Sequence, residues 1–210
     1  MDLAPEIERN VTAALAEDVG DGDASALLLP EGKSARAVVV CRQPAVVCGQ
    51  AWFEACFRKL DPAAAVSWLV AEGEQVAAGT QVCEVSGKAR ALLSAERSAL
   101  NFLQVLSSVA TTTRRYVEAA AGTRVKIVDT RKTLPGLRLA QKYAVRVGGG
   151  SNHRMGLYDA MLIKENHIAA AGGIRQALTL AKKHARPRIW MQVEVESLDQ
   201  LRKRLTPARP

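Results

Sequence analysis

Apolar residues recur at helical spacing over residues 7–16, and the run closes in the acidic, glycine-bearing stretch 17–23. That stretch has the composition of a calcium loop but lacks the alternation and the closing glutamate of an EF-hand, so it reads as a solvated turn. Residues 35–41 (Ala-Arg-Ala-Val-Val-Val-Cys) predict a buried strand. Residues 51–60 predict a helix stopped by Asp61-Pro62. Short alternating runs at 66–70 and 82–85, separated by glycine turns, predict a small and mostly antiparallel sheet. Residues 95–120 then hold good helix formers with no proline or glycine, which predicts one long helix, either continuous or broken around Ser107-Ser108.

Beyond Gly122 the pattern changes. Three strand-like runs, 125–128, 160–163 and 189–193, each feed a helix-like run, at 137–147, 174–185 and 198–205. The residues that follow them, Asp129, Lys164 and Glu194, lie 35 and 30 positions apart. That is the size of a strand with its crossover helix, so a parallel α/β arrangement is expected, open or closed into a barrel.

Composition narrows the class. The chain of 210 residues is 48% hydrophobic and 24% charged, the balance of a soluble globular protein. No apolar run approaches the roughly 18 residues of a membrane span, and the first residues lack a secretory pattern, so the default location is cytoplasmic. The four cysteines, at 41, 48, 56 and 83, form no metal-ligand spacing and are expected to be small buried apolar residues. The formal net charge of +8 suits an anionic partner. The few aromatic residues are scattered, which does not suit stacking on single-stranded nucleic acid.

In parallel α/β folds the working groups sit where strands end. The first run ends in Asp129-Thr130-Arg131-Lys132-Thr133, the second in Lys164-Glu165-Asn166-His167, and the third in Glu194-Val195-Glu196. Between the first two lies Gly148-Gly149-Gly150-Ser151-Asn152-His153-Arg154. Arginine grips carboxylates and phosphates with a planar fork, and lysine acts as a mobile point charge. Arg131, Lys132, Arg154 and Lys164 around one cleft would suit a polyanionic ligand. Glu194 is out of place in pure anion binding but fits a divalent metal, a sugar hydroxyl or a developing positive charge. Each feature also has an ordinary reading: loop arginines and lysines are mostly solvated, and glycine triplets are mostly turns. Recurrence after three strand ends favours an anion-binding α/β site, with its chemistry left open.

Several long, ungapped segments resemble the quinolinate phosphoribosyltransferase (nicotinate-nucleotide pyrophosphorylase) family. They are Glu96-Arg97-Ser98-Ala99-Leu100-Asn101-Phe102-Leu103, Asp129-Thr130-Arg131-Lys132-Thr133-Leu134-Pro135-Gly136-Leu137-Arg138, Gln141-Lys142-Tyr143-Ala144-Val145, Asn152-His153-Arg154-Met155-Gly156-Leu157-Tyr158-Asp159, Lys164-Glu165-Asn166-His167 and Val193-Glu194-Val195-Glu196. The stretch 17–25 also matches, except that Ala24 stands where the family usually has threonine. The resemblance implies an α/β fold in two domains, an N-terminal α/β sandwich with its linking helix at 1–107 and a parallel α/β barrel at 108–210. It implies transfer of a phosphoribosyl group from phosphoribosyl pyrophosphate to quinolinate with decarboxylation, giving nicotinate mononucleotide, pyrophosphate and carbon dioxide in NAD biosynthesis. Arg131, His153, Arg154 and Lys164 would surround the two carboxylates of quinolinate, Thr130 would line the same site, and Arg97 would reach in from a neighbouring subunit of a homodimer or larger homo-oligomer. Lys132 and Lys164 would face the phosphates. Glu194 would serve the ribose hydroxyls and Mg2+, the metal held through water rather than by a direct protein ligand. Lys132, Lys164 and Glu194 would carry the catalytic roles.

The family continues beyond the point where this sequence stops, so the barrel is expected to be truncated and the isolated chain weakly active or inactive. Rival readings are a catalytically silent subunit, a polyanion or nucleic-acid binder, and a molybdenum-transport-associated relative of the same fold. The intact set of Arg131, His153, Arg154 and Lys164 argues against the last.

Overall fold

The computed structural model describes residues 2–187 and 189–205, with the side chains of 203–205 left aside. The chain divides into two compact units, Met1–His153 and Arg154–Pro210.

The first unit opens with helix α1 (Ala4–Asp18), which has proline in its first turn, where no intrahelical amide partner is lost. A 3-10 turn (Ala26–Leu28) follows, with Asp23 Oδ1 accepting from the Ser25 and Ala26 amides. Strands β1 (Ser34–Val40) and β2 (Ala45–Val46) precede helix α2 (Gln50–Leu60). Strands β3 (Ala65–Trp68), β4 (Gln75–Val76) and β5 (Gln81–Lys88) then lead into α3 (Ala89–Ala119). The sheets are antiparallel, in the order β1-β5-β3 and β2-β4, as expected. Helix α4 (Arg138–Val147) completes the regular structure of this unit.

Its core runs from α2 through β5 and α3 to α4. Trp52, Phe53, Val85, Leu106, Ala140 and Ala144 are all buried within it. Phe53 stands edge-on to Phe57 and Trp68, with ring centroids 5.0 and 5.3 Å apart. Strand β1 corrects the expectation of a buried strand. Only Ala35 and Val39 pack toward the core, while Val38 and Val40 are 55% and 46% exposed. Antiparallel sheets tolerate one wet face, and β-branched residues favour strands on either face.

Helix α3 starts at Ala89 and is unbroken at Ser107-Ser108. It therefore passes through the 107/108 boundary without interruption. Ser107 stays helical because its hydroxyl serves a neighbouring segment: it accepts from the Cys48 amide at 2.9 Å and donates to the Cys48 carbonyl at 3.2 Å. One turn on, Thr111 Oγ1 accepts from the Val46 amide at 2.8 Å. These contacts satisfy backbone groups of β2 and of the residues that follow it.

Residues 125–128 do not form the expected strand. Among the described residues they make one parallel bridge, Val128 to Ser151, with hydrogen bonds Ser151 N–Ile127 O and Asp129 N–Ser151 O. The partner is Ser151 alone, which directly follows the glycine triplet, so little extended backbone is offered as a ladder. Gly149 adopts φ +92°. Gly148 lies so close to α3 that a Cβ there would stand 2.5 Å from the Ala110 carbonyl oxygen and 2.7 Å from Thr113 Cβ. Arg114 of α3 donates to the carbonyls of Gly148 and Val147, satisfying the C-terminal end of α4.

The second unit holds the parallel pair β6 (Ala160–Ile163) and β7 (Trp190–Val193), in register from Ala160–Trp190 to Ile163–Val193. Helices α5 (Glu165–Ala170) and α6 (Ile174–His184) connect the strands, and α7 (Leu198–Leu205) follows. Ile163, Ile168, Ile174 and Ala177 form its small core. Residues 206–210, at the end of the sequence, lie outside the described residues. No helix among the described residues is long and apolar enough to cross a membrane.

Three of the four cysteines are buried, and Cys41 is half-buried with its thiol donating to the Gln43 carbonyl. Burial pushes the Cys56 and Cys83 thiols up to about 12, with the Glu54 carboxylate adding to the effect at Cys83. Cys48 is likewise pushed up, by burial first and then by Glu72. In native protein at mildly alkaline pH, thiol reagents are expected to label Cys41 first and the other three only on unfolding. Mass mapping of the labelled peptides checks the order. Gly148→Ala is expected to cost about 1–3 kcal/mol of stability by overpacking against α3, read as a lower midpoint of denaturant unfolding.

Candidate active site

Two polar centres occupy the places where the sequence pattern put working groups. The first is built on Asp129. Its carboxylate is paired with the Lys142 ammonium, and the two side chains are 7% and 1% exposed. The same carboxylate accepts from Asn152 Nδ2 at 2.6 Å and from the His153 amide at 2.9 Å. Asn152 Nδ2 also donates to the Lys142 carbonyl at 2.8 Å. A buried carboxylate with a cation and two further donors is fully provided for, whereas a lone buried charge would cost several kcal/mol. The network fixes the start of the segment 129–137 against α4 and against residues 151–153.

That segment carries Thr130, Arg131 and Lys132. It has no regular secondary structure, and local hydrogen bonds shape it. Thr130 Oγ1 accepts from the Lys132 amide at 3.1 Å, Thr133 Oγ1 accepts from Arg138 Nε at 3.3 Å, and Gln141 Oε1 accepts from the Leu134 amide at 2.7 Å. Thr130 and Lys132 are exposed. Arg131 is half-buried, and its Nε is a buried donor with no hydrogen-bond partner among the described residues. Buried donors of this kind are rare in native proteins, because leaving one unmade costs about 1–3 kcal/mol. The structure thus brings Thr130, Arg131, Lys132 and His153 to one Asp129-anchored centre. Arg97, on α3, is exposed and makes no hydrogen bond or ion pair with any of them.

The second centre lies at the C-terminal ends of the parallel pair. Lys164 follows β6, Glu194 follows β7, and their side chains form an ion pair at 3.0 Å, each a little over 40% exposed. The Glu194 amide donates to the Ile163 carbonyl, extending the ladder by one rung and aligning the two residues. His167 is held within this unit, its Nδ1 accepting from the Lys164 amide at 3.1 Å. Arg154 is buried, with Nη1 donating to the Ala160 carbonyl at 3.3 Å. Asp159 closes the adjoining turn by accepting from the Met155 and Gly156 amides.

An open apolar groove of about 330 Å3 also borders Asp129, lined by Val109, Thr113 and Tyr116 of α3 together with Ile127, Val128 and Val145. Apart from Asp129 it contains none of the polar groups above.

Sequence reasoning put Asp129 at a strand end but missed the role of Lys142. The available signal was a lysine at a core position of α4, flanked at 140 and 144 by alanines that the structure buries completely. Fully buried lysines are rare unless paired, so such a position points to a buried carboxylate nearby. Lys142→Met is expected to destabilise the first unit by about 3–5 kcal/mol, because Asp129 then stays buried without its cation. Adding Asp129→Asn to that variant is expected to restore a large part of the loss. Chemical unfolding of the two variants checks both expectations.

Comparison with known proteins places both parts of the chain in one family. Residues 23–107 match the family model for the quinolinate phosphoribosyl transferase N-terminal domain, and residues 109–208 match that for its C-terminal domain. The chain is 42% identical over 186 residues to a probable carboxylating nicotinate-nucleotide pyrophosphorylase of Bacillus subtilis, covering 89% of this chain and 64% of that protein. It is 40% identical over 195 residues to a chloroplastic carboxylating nicotinate-nucleotide pyrophosphorylase of Oryza sativa, covering 91% of this chain and 52% of that protein. The chain thus spans between about half and two thirds of the length of these curated relatives. Among solved structures, NadC from Streptococcus pyogenes superposes with a TM-score of 0.90 at 40% identity, covering 97% of this chain and 73% of that one. The nicotinate-nucleotide pyrophosphorylase of Francisella tularensis gives 0.88 at 44% identity, covering 95% and 70%. With both domain models matched in order and the fold shared with solved members, this chain belongs to the quinolinate phosphoribosyltransferase family.

Proposed function

We propose that this chain is a pentosyltransferase component that joins quinolinate to the ribose carbon of phosphoribosyl pyrophosphate, releasing pyrophosphate and carbon dioxide and leaving nicotinate mononucleotide for NAD biosynthesis. The observation that carries this reading is the buried, unpartnered Arg131 Nε in the Asp129-anchored segment. A planar carboxylate is the ligand that an unused guanidinium donor matches best, since both oxygens can be gripped by one fork.

On this reading Thr130, Arg131, His153, Arg154 and Lys164 hold the two carboxylates of quinolinate. Lys132 and Lys164 face the phosphates of the donor, and Glu194 takes the ribose hydroxyls. Holding the pyridine nitrogen in line with the ribose carbon removes up to about 7–11 kcal/mol of entropic barrier in favourable cases. Lys132 and Lys164 offset charge on the departing pyrophosphate, and Glu194 favours the electron-poor ribose as the bond to the leaving group breaks. Loss of the 2-carboxylate leaves electron density on the ring, which the surrounding cations stabilise.

Among the described residues no group of three or more His, Cys, Asp and Glu side chains could hold a metal ion. The exposed Glu194 carboxylate, once parted from Lys164, fits magnesium, which keeps several waters and is usually held by one or two carboxylates together with substrate phosphates. Magnesium bound there would neutralise charge on the pyrophosphate.

Arg97 lies one turn beyond Leu93 on α3. Leu93 is 53% exposed, and Leu27 and Leu28 of the 3-10 turn are 71% and 86% exposed. Apolar side chains of this size left open to solvent, with Leu93 one turn from the exposed Arg97, support a self-associating chain in which Arg97 is lent to a second copy. A cytoplasmic location and independence from nucleic acid and membrane belong to the same proposal.

The test is magnesium-dependent release of carbon dioxide from carboxyl-labelled quinolinate, run with and without phosphoribosyl pyrophosphate, beside calorimetric binding of quinolinate. Weak release, and only with both substrates, is the expected result. Neither release nor binding would sink the reading. Arg131→Lys is expected to weaken quinolinate binding by roughly ten-fold or more, because the bidentate grip is lost while the charge is kept. Unchanged affinity would remove Arg131 from the site.

A further inference from the structure

We infer that the N-terminal helix α1 positions the segment bearing Thr130, Arg131 and Lys132, with Arg9 and Asn10 clamping its far end through the Gly136 carbonyl. This rests on the reading of that segment as part of the quinolinate site. The near end is fixed by Asp129. At the far end Gly136 turns with φ +78°, and its carbonyl oxygen accepts from Arg9 Nη2 at 2.6 Å and from Asn10 Nδ2 at 3.2 Å. Two side-chain donors from one helix converge on a single carbonyl more than 120 residues away.

The donors are themselves held. The Glu6 carboxylate accepts from Arg9 Nε at 3.1 Å, Arg9 Nη2 at 2.7 Å and Asn10 Nδ2 at 3.3 Å. Asn10 Oδ1 accepts from Trp52 Nε1 at 3.0 Å. Glu6, Asn10 and Trp52 are 9%, 5% and 0% exposed, so the Glu6–Asn10–Trp52 part of the network is buried, while the Arg9 side chain reaches Gly136 along the surface. Such networks rigidify what they touch, because any slack leaves a desolvated polar group unmade. Trp52 continues the line to α4, its ring 5.5 Å from that of Tyr143, the residue next to Lys142.

Packing alone does not require this arrangement. Helix α1 already buries Val11 and Leu15 in the core. Glu6, Arg9 and Asn10 make no hydrogen bond to Thr130, Arg131 or Lys132, so they act through the segment's backbone and are positioning residues. With both ends pinned, Arg131 Nε is kept in place before a ligand arrives, and less ordering has to accompany binding.

The decisive comparison is the Arg9→Ala/Asn10→Ala double variant against Trp52→Phe. The control cuts the same network at its other end and loosens the core, but leaves both donors on Gly136. Hydrogen exchange at the Lys132 and Leu134 amides would be followed in unliganded protein, relative to core amides of α3 so that global opening cancels. Quinolinate affinity would be measured on the same samples. The clamp predicts exchange at both amides faster by roughly ten-fold in the double variant, and a comparable loss of affinity, with no selective change in the control. If the two amides instead move with the α3 core in the double variant, the clamp does not exist. Selective exchange in a protein whose wild type binds no quinolinate would uphold the clamp and overturn the substrate reading, so the two failures are separable. Arg9→Ala alone, whose side chain is largely exposed, gives the same readout should the double variant not fold.

Discussion

A lysine ammonium with 1% of its surface exposed is tenable only where an opposite charge and hydrogen bonds replace the water it has lost, and Asp129 supplies both to Lys142. The Asp129 carboxylate accepts at the same time from the side chain of Asn152 and the backbone of His153. Three separate stretches are therefore fixed by one group: helix α4, the segment entering 130–132, and the residues after the glycine triplet. Replacing the ion pair by apolar side chains could match its stability. It could not reproduce the directionality that holds Asn152 and His153 where they are.

The position of Lys142 depends in turn on the close approach of α4 to α3. Ala110 and Thr113 come so near the chain at Gly148 and Gly150 that no side chain fits there. Arg114 covers the carbonyls at the end of α4. On the other side of α4, Tyr143 Oη donates to Glu72, whose carboxylate also receives the first amides of α2. Burial and the neighbouring Glu72 charge push the Tyr143 hydroxyl up, which keeps it a donor throughout the neutral range. Helix α4 is thus held by polar contacts at both flanks and by Ala140 and Ala144 at its core face.

The second unit works differently. Its parallel pair is short and its core small, and the Lys164–Glu194 pair is open to water. A pair this exposed adds little stability, and its charges can re-pair with a ligand at small cost. On the proposed reading that is what they do, with the lysine turning to an anionic group and the glutamate to ribose hydroxyls. The contrast with Asp129–Lys142 separates a charge pair that holds structure from one available for chemistry.

Much of this was legible in the sequence. Hydrophobic periodicity alone placed α2, α4, β6, α6, β7 and α7 within a residue or two, and the motif segments identified the family. Periodicity works there because each element buries one face, and burial is what the spacing of apolar residues records. It misjudged β1, whose valines favour a strand without being covered. It misjudged 125–128, where a run of strand formers meets a partner with little backbone to offer. It left open a break around Ser107-Ser108, where the helix runs on and the Ser107 hydroxyl serves the Cys48 backbone. What only the tertiary structure decided is the pairing of polar groups: that Lys142 is buried against Asp129, that Arg131 Nε has no partner among the described residues, and that Gly136 is held from α1. Polar partners, whether 13 residues apart as in Asp129–Lys142 or more than a hundred as in Arg9–Gly136, leave no periodic trace in a single chain, because their geometry exists only once the core has brought their elements together.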